Sequence, residues 1–600
     1  MVTESLLHAY YVPVASDLAS GFCVILPTRV TSPSPSLERP LPFIPRDVFA
    51  VIPLHHSPIV KEEPSSNAQS IWLLDPLDML PVVYELRHGY AADRDSASLQ
   101  DAILSNLVPP PWKLGTDIHL AKNMDPLYWW NKFAEDLLLG EDLRADLTEE
   151  LLSSYEWQKA AYESPPPCPT LASSPSEWEQ CLLEGHPTHP MHRARRTLPP
   201  LPAVSPDTRS WYHPKIRFAL VPRGRLDIKG TFEAEIRPLA QMAARRCGRP
   251  IPDGIDDQVL MPVYDLQTAN IRAKFPDCEI LDEDFSLDAL GQASIRTVVV
   301  PDMPHIVVKL AVGIKVSSAL RTISHFTANL GPRFSAQIIP KLAIDTRILY
   351  VEREVGSAVY ARDATGADVD PEVAKHFTAV LRVPYMPEED EAVVVCAALL
   401  EWGHRDVPLG VPVIQHVLGD TEDKKIVFFD EYTRLLLAAV IPPMVYNGIG
   451  FEAHPQNTLL RLSRTSRKLR GFVLRDLGGL RVHPPTLRAS TGVPFEFLPG
   501  HCVVTASLEE AAKKLYHTLI HNHLQRLARV LGLHYNGTAW EIVRRHMVEQ
   551  VPRDSWLWPV WMGEGSTSVA GKCLVRMKLQ GVYRDSVYEP FPNLIQYRPA

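Results

Sequence analysis

The 55 prolines of this 600-residue chain, about 9% against a usual ~5%, are gathered into clusters. Three stretches in the first third hold many of them: TSPSPSLERPLPFIP (Thr31–Pro45), SPPPCPTLASSPS (Ser164–Ser176) and TLPPLPAVSP (Thr197–Pro206). Proline lacks a backbone N–H and fixes φ, so each stretch forbids regular helix and favours stiff, extended connections. A chain punctuated in this way is built from lobes joined by loops. Its length points the same way, because 600 residues exceed what a single core holds. No internal repeat is present.

With 46% hydrophobic and 22% charged residues the chain is ordinary globular material, neither disordered nor collagen-like. A net charge of −9 argues against nonspecific nucleic-acid binding, which needs an excess of Lys and Arg. The eight cysteines form no CxxC pair, so neither a disulfide framework nor a cysteine zinc site is indicated, and a reducing compartment fits. The N-terminus has Glu4 and no basic stretch, which makes a poor signal peptide. The longest apolar run, Leu435–Tyr446, is too short for a bilayer and is expected to break at Pro442 and Pro443. These features predict a cytoplasmic protein with no membrane partner.

Between the first two proline stretches, WWNKFAEDLLLGEDLRADLTEELLSSYEWQKAAY spaces apolar residues three and four apart and predicts two helices. The N-terminal lobe is therefore expected to be mostly helical. In the middle third, HIVVKLAVGIKVSS alternates strictly, with Val308, Leu310, Val312, Ile314 and Val316 on one face and Lys309 and Lys315 on the other. SIRTVVV upstream is β-branched, and the two predict an antiparallel hairpin. In the last third, Ser507/Glu510 and Thr538/Glu541 are capping boxes that open two helices. KCLVRMKLQGVY reads as a strand with Lys572, Arg576 and Lys578 on one face.

Four segments hold more polar groups than packing requires. EGHPTHPMHRARR places His186, His189 and His192 three apart, but Pro187 and Pro190 prevent the helix that would align them on a metal. A rigid anion-binding loop and a solvated basic loop are equally supported, with a metal site third. Ser294, Arg296 and Thr297 on one side of Lys309, and Ser317, Ser318, Arg321 and Thr322 on the other, combine hydroxyls with guanidinium groups. That is the equipment for phosphate or carboxylate oxygens, whereas one cluster alone would read as turn caps and snorkelling arginines. GIGFEAHPQNTLL packs Glu452, His454, Gln456 and Asn457 together, and FVLRDLGG places Asp476 after a strand. Kinases hold Mg²⁺ with an Asn and an Asp so placed, and a buried structural network is the bland alternative. The seven basic residues from Arg461 to Arg481 lack interleaved aromatics and read as a solvated loop beside an anion site.

Taken in order, GHPTHPMHRAR, ASIRT, KLAVGIKVSSALRT, FEAHPQNTLL and RDLGG resemble the siderophore synthetases that work independently of nonribosomal peptide synthetases, the aerobactin-synthetase (IucA/IucC) type. The resemblance covers roughly Trp178 to Asn593. It implies an α+β, multi-lobed, hand-like architecture of antiparallel sheets flanked by helices. The lobes would be thumb-like (1–177), fingers-like with the ATP and acid motifs (178–385) and palm-like with the Mg²⁺ motif (386–600).

The resemblance further implies ATP-dependent adenylation of a carboxylic acid, typically citrate, followed by attack of an amine or alcohol to give an amide or ester. Ser294, Arg296, Thr297, Lys309 and Arg321 would hold phosphates and carboxylate. Ser317, Gln456 and one or both of His186 and His189 would complete the ATP site. His454 and Gln456 would flank the reacting centre, Asn457 and Asp476 would hold Mg²⁺, and Lys572 is a candidate for the acid. His454, Arg321 and Lys309 form the catalytic set, and a homodimer is the family expectation.

The chain departs from the family at three places: YDLQ (Tyr264–Gln267) where HPWQ is usual, AHPQN where AHGQN is usual, and Arg193 and Thr197 where a lysine and a glycine usually follow GHPxHP. These changes bear on the identity of the acid more than on the nucleotide chemistry. With the proline content they point to a fungal or other atypical branch. One alternative is a small-molecule kinase, against which stand the missing GxGxxG loop and the missing aspartate just upstream of Asn457. Another is a catalytically degenerate binding protein, for which Pro455 and YDLQ speak.

Overall fold

The computed structural model describes residues 1–14, 19–28, 47–61, 68–86, 120–186, 189–252, 257–316, 319–419, 421–582 and 587–599. The first proline stretch, Ser317 and Ser318 lie outside the described residues. The chain divides into two compact units, one of Met1–Glu149, Tyr535–Gly537 and Gly565–Ala600, the other of Glu150–His534 and Thr538–Glu564.

The first unit corrects the expectation of a mostly helical N-terminal lobe. Its centre is a seven-stranded antiparallel sheet in the order Ile59–Val60, Gln69–Leu73, Leu7–Pro13, Gly21–Pro27, Ala50–Leu54, Tyr84–Leu86, Leu120–Lys122. Phe22, Val24, Leu26 and Val51 form its core. These strands are two to seven residues long, too short for a period-two pattern to stand out beside the long helical one. The two predicted helices are present as Pro126–Asp136, capped by Asp125 (2.9 Å to the Leu127 N–H), and Glu141–Glu163.

KCLVRMKLQGVY is also corrected. The strand Ser568–Lys572 ends at Lys572, and Leu574–Leu579 is helical. The Glu4 carboxylate accepts the Val575 and Arg576 N–H groups at 3.0 and 2.7 Å. A first helical turn satisfied from the other end of the chain leaves no local sequence signal.

In the second unit the predicted hairpin is present: Thr297–Val299 pairs antiparallel with Val307–Leu310, Val298 facing Val308. Both belong to a six-stranded antiparallel sheet ordered Leu226–Gly230, Arg353–Tyr360, Thr378–Val383, Val307–Leu310, Thr297–Val299, Leu290–Gly291. The alternation towards Val316 is interrupted at Gly313 (φ +73°), where the chain leaves this sheet. Ile314–Val316 then pairs with Ala319–Leu320 and with Arg196–Thr197. That crossing brings the chain after the histidine loop beside the chain before Arg321.

A further sheet contains Glu391–Val395, Thr458–Ser463, Leu469–Leu474 and Leu349–Val351. Its central hairpin corrects the solvated-loop reading of Arg461–Arg481. Arg461 pairs with buried Glu391 (2.9 Å), Arg470 with Glu388 and Asp390 (3.0 and 3.1 Å), and Arg475 with Glu179. The apolar run is not broken at its prolines, since the helix Glu422–Asn447 carries Pro442 and Pro443 and ends on left-handed Gly448. Two interior prolines cost a helix several kcal/mol, roughly 3 each; fully buried Val440, Ile441 and Met444 supply compensating packing. Among the described residues no helix is long and apolar enough to cross a membrane. The capping-box segment forms a continuous helical run, Leu508–Tyr516, a π-helical His517–Leu524 and Gln525–Val530.

Candidate functional site

Lys309 sits mid-strand, 3% exposed, and its Nζ donates to Asp476 Oδ1 at 2.8 Å, with Glu354 Oε1 at 4.0 Å. Asp476 is held at φ +67°, a left-handed conformation costly for a residue with a Cβ, and its Oδ1 also accepts the Gly478 N–H at 3.2 Å. Burial alone would raise its carboxyl, but Lys309 and Arg296 outweigh burial and hold it far below the usual range. Burial lowers Lys309, opposed by Asp476, and raises Glu354.

The ASIRT loop encloses the same pair. Arg296 reaches Asp476 Oδ2 at 3.7 Å and donates to the Thr322 carbonyl at 2.8 Å, tying the loop to the segment of Arg321. Ser294 Oγ donates to Thr297 Oγ1 at 2.8 Å, and Thr297 stands opposite Lys309 in the sheet. Arg321 is anchored by its N–H to the Ile314 carbonyl (2.7 Å) and faces Arg195. Burial, then Arg193 and Arg321, push Arg195 well below an ordinary guanidinium, so cationic groups gather here.

The histidine loop and the HPQN loop meet. The His186 ring lies 4.8 Å from that of His454 and 5.6 Å from that of His189. Burial lowers both His186 and His454; neighbouring histidines add to it at His186, whereas Glu452 opposes it at His454. His454 Nδ1 accepts the Asn457 N–H at 3.3 Å, so its neutral form carries the proton on Nε2. The Arg475 N–H donates to the Asn457 carbonyl at 3.2 Å, setting Asn457 beside Asp476.

The structure thus brings His186, Ser294, Arg296, Thr297, Lys309, His454, Asn457 and Asp476 into one connected set of contacts, with His189 beside His186 and Arg321 linked through the Thr322 segment. Gln456 takes part through its carbonyl, which accepts from Arg475 at 2.7 Å. Lys572 belongs to the other unit, on a strand opposite Tyr588.

Several residues carry this set without having been singled out. Glu179 accepts the N–H of Ala293, the first residue of ASIRT (3.0 Å), and pairs with Arg475, which in turn holds Gln456; one buried ion pair ties three motif loops. Glu452 pairs with Lys514 at 2.5 Å and crowds Gly479, where a Cβ would lie 1.8 Å from Glu452 Oε2. That pairing holds the Glu452 carboxyl down at about 2 against the effect of burial. His523 Nδ1 donates to the Ala453 carbonyl at 2.8 Å, and its Nε2 accepts from the Tyr432 hydroxyl at 2.6 Å. Of these, Glu452 lies in the FEAHPQN cluster and Arg475 opens RDLGG. Glu179, Tyr432, Lys514 and His523 act from helices distant in sequence.

The YDLQ and AHPQN segments have structural roles, at the retained Gln267 as well as at the departures. Gln267 donates to the His376 carbonyl (2.8 Å) and sits against Gly313, where a Cβ would meet its Oε1 at 2.3 Å. Asp265 pairs with Arg209 at 2.7 Å. Pro455 lacks a donor, but its carbonyl accepts the Ala397 N–H at 3.0 Å.

Among the described residues no group of three or more His, Cys, Asp or Glu could hold a metal ion alone. Asp476 and Asn457 nevertheless fit Mg²⁺, which takes one or two protein oxygens and completes its shell with phosphate and water. Cationic Lys309 and Arg296 around them fit a triphosphate.

Residues 174–401 match the IucA/IucC family, and 427–551 match a description that reads ferric iron reductase FhuF-like transporter. The NRPS-independent siderophore synthetase rfs of Rhizopus delemar is 39% identical, covering 100% of this chain and 95% of that protein. The NRPS-independent siderophore synthetase-like protein ankE of Aspergillus thermomutatus is 30% identical over 75% and 74%. D-ornithine–citrate ligase of Staphylococcus aureus is 22% identical over 66% and 63%. Among solved structures, ATP-bound aerobactin synthetase IucA of Klebsiella pneumoniae shares the fold, with a TM-score of 0.65, 15% identity and coverage of 99% and 97%.

The chain belongs to the IucA/IucC family of NRPS-independent siderophore synthetases. Its two most similar relatives named here are fungal, the branch to which the proline content and motif departures point.

Proposed function

We propose that this protein is an ATP-dependent ligase of siderophore or related secondary-metabolite biosynthesis. It adenylates a carboxylic acid, citrate or a related polycarboxylate, and condenses it with an amine or alcohol. The observation that carries the reading is the centre of buried Lys309 with half-buried Asp476 and Arg296, against the paired His186 and His454 loops. The synthetase and ligase names of the relatives support it.

In the first half-reaction a carboxylate oxygen attacks the α-phosphorus of ATP and pyrophosphate leaves. Two anions must approach each other, so the residues must gather positive charge and donors before charge develops. Lys309, Arg296, Ser294 and Thr297 would hold phosphate oxygens, joined by Ser317, Gln456, His186 and His189. Arg321 would orient the carboxylate. Mg²⁺ held by Asp476 and Asn457 would neutralise charge on the leaving pyrophosphate. In the second half-reaction the amine or alcohol attacks the acyl carbon, and AMP leaves with the former carboxylate oxygen. His454, neutral with its proton on Nε2, would donate to the developing oxyanion. Lys572 remains a candidate for the acid, and the lobes 1–177, 178–385 and 386–600 remain the proposed thumb, fingers and palm.

The test is purified protein with ATP, Mg²⁺, a panel of acids led by citrate, and hydroxylamine. Acid-dependent hydroxamate with AMP and pyrophosphate is expected. ADP, or no turnover with any acid together with no ATP binding, would contradict the reading.

A further inference from the structure

The His186 loop is suspended from a single buried carboxylate. Glu401, 1% exposed, accepts three consecutive backbone N–H groups: Leu183 at 2.7 Å, Glu184 at 2.9 Å and Gly185 at 2.6 Å. Gly185, at φ +75°, then turns the chain into His186. The same short segment holds the loop again at His404, whose Nε2 donates to the Cys181 carbonyl at 3.0 Å. It also touches the facing loop through the Ala397 N–H and the Pro455 carbonyl.

Among the described residues no Lys, Arg or His pairs with Glu401, so the three N–H groups are its counter-charge. We propose that Glu401 is the positioning residue of the His186 loop: its ionised carboxylate fixes the approach of His186 and His189 to a nucleotide phosphate. The inference rests on the nucleotide-binding reading above.

The charged form is required because an ionised carboxylate offers acceptor sites on both oxygens. Protonation converts one oxygen into a donor facing donors, which frees the loop. Burial, then the Glu184 carboxylate, raise Glu401 to about 7, against the three N–H groups that lower it. The groups around it are Glu184 on the loop, Tyr162 from the helix Glu141–Glu163, Cys181, and His404 on its own segment. Glu184 in turn accepts from Tyr162 (2.6 Å) and lies 3.5 Å from Arg526. Removing Glu184 takes away a like charge and leaves Arg526 uncompensated, so both effects lower the Glu401 midpoint.

The experiment is ATP binding with Mg²⁺ by titration calorimetry on full-length protein between about pH 8 and 6. Wild type should lose about tenfold in ATP affinity across a midpoint near 7. E401Q should bind about tenfold more weakly at pH 8 and lose the pH step, with its melting temperature kept. E184Q should retain the pH 8 affinity and move the midpoint downward. The ionisation of ATP itself is common to all three proteins and cannot produce that shift. Wild type binding ATP with E401Q indistinguishable from it, or an E184Q midpoint that stays in place, overturns the inference and leaves the nucleotide reading standing. Wild type binding no ATP overturns both.

Discussion

The two loops that meet at His186 and His454 are held in opposite ways. The His454 loop is gripped at its carbonyls: Ala453 by His523, Pro455 by Ala397, Gln456 by Arg475. Its one charged holder, Arg475, is neutralised by Glu179. The His186 loop is gripped at its N–H groups by Glu401, a carboxylate to which no cation is paired among the described residues. A loop held by compensated charge and neutral dipoles keeps one arrangement across the working pH range. A loop hung on an uncompensated carboxylate is conditional on that group's ionisation. On the proposed reading the protein combines a fixed His454 loop with a His186 loop whose hold depends on the ionisation of one carboxylate.

Breaking the fixed side should cost most. Arg475→Met leaves Glu179 buried without its cation, and loss of one member of a buried pair costs about 3–5 kcal/mol. Denaturant unfolding should show that loss, with activity falling alongside it. The conditional side predicts the reverse sign. A carboxyl raised in the folded state contributes stability that is present below its unfolded value and lost as pH rises through about 7. At pH 8 the neutral E401Q should therefore unfold no earlier than wild type while binding ATP less well.

Gly479→Ala tests how tightly the fixed side is packed, since the added Cβ would lie 1.8 Å from Glu452 Oε2. Displacing the Glu452–Lys514 pair beside His454 should lower turnover by about 100-fold with secondary structure unchanged by circular dichroism. His523→Leu removes the donor to the Ala453 carbonyl and should lower kcat about tenfold with KM for ATP little changed. His523→Asn supplies an N–H at the same place and should recover most of that loss. Pro455→Gly should do least: the carbonyl contact to Ala397 survives, and the change costs about 1 kcal/mol or less through unfolded-state entropy.

What was legible in the sequence follows from this division. The residues proposed to react lie in short ordered motifs, and the structure brings Lys309, Arg296, His454, Asn457 and Asp476 together as their local chemistry led one to expect. The hairpin around Lys309 and the long helices were legible for the same reason, each being one sustained period. The groups that hold the motifs were not. Glu179, Glu401, Lys514 and His523 reach their loops over tens to hundreds of residues, and an isolated Glu or His on a helix looks like any other. The sheet of the first unit was missed because its strands are short. The helix Leu574–Leu579 was missed because Glu4 satisfies its first turn. Proline misled at Pro442 and Pro443, where tertiary burial overrides local propensity.

The most direct test of the central claim is to follow oxygen. Citrate labelled with ¹⁸O in its carboxylates, supplied with ATP, Mg²⁺ and hydroxylamine, should yield AMP carrying one labelled oxygen, and pyrophosphate carrying none. That transfer occurs only if a carboxylate oxygen has attacked the α-phosphorus and left with AMP. Labelled inorganic phosphate accompanied by ADP would mean attack at the γ-phosphorus instead, and would contradict the assignment of this site to adenylation.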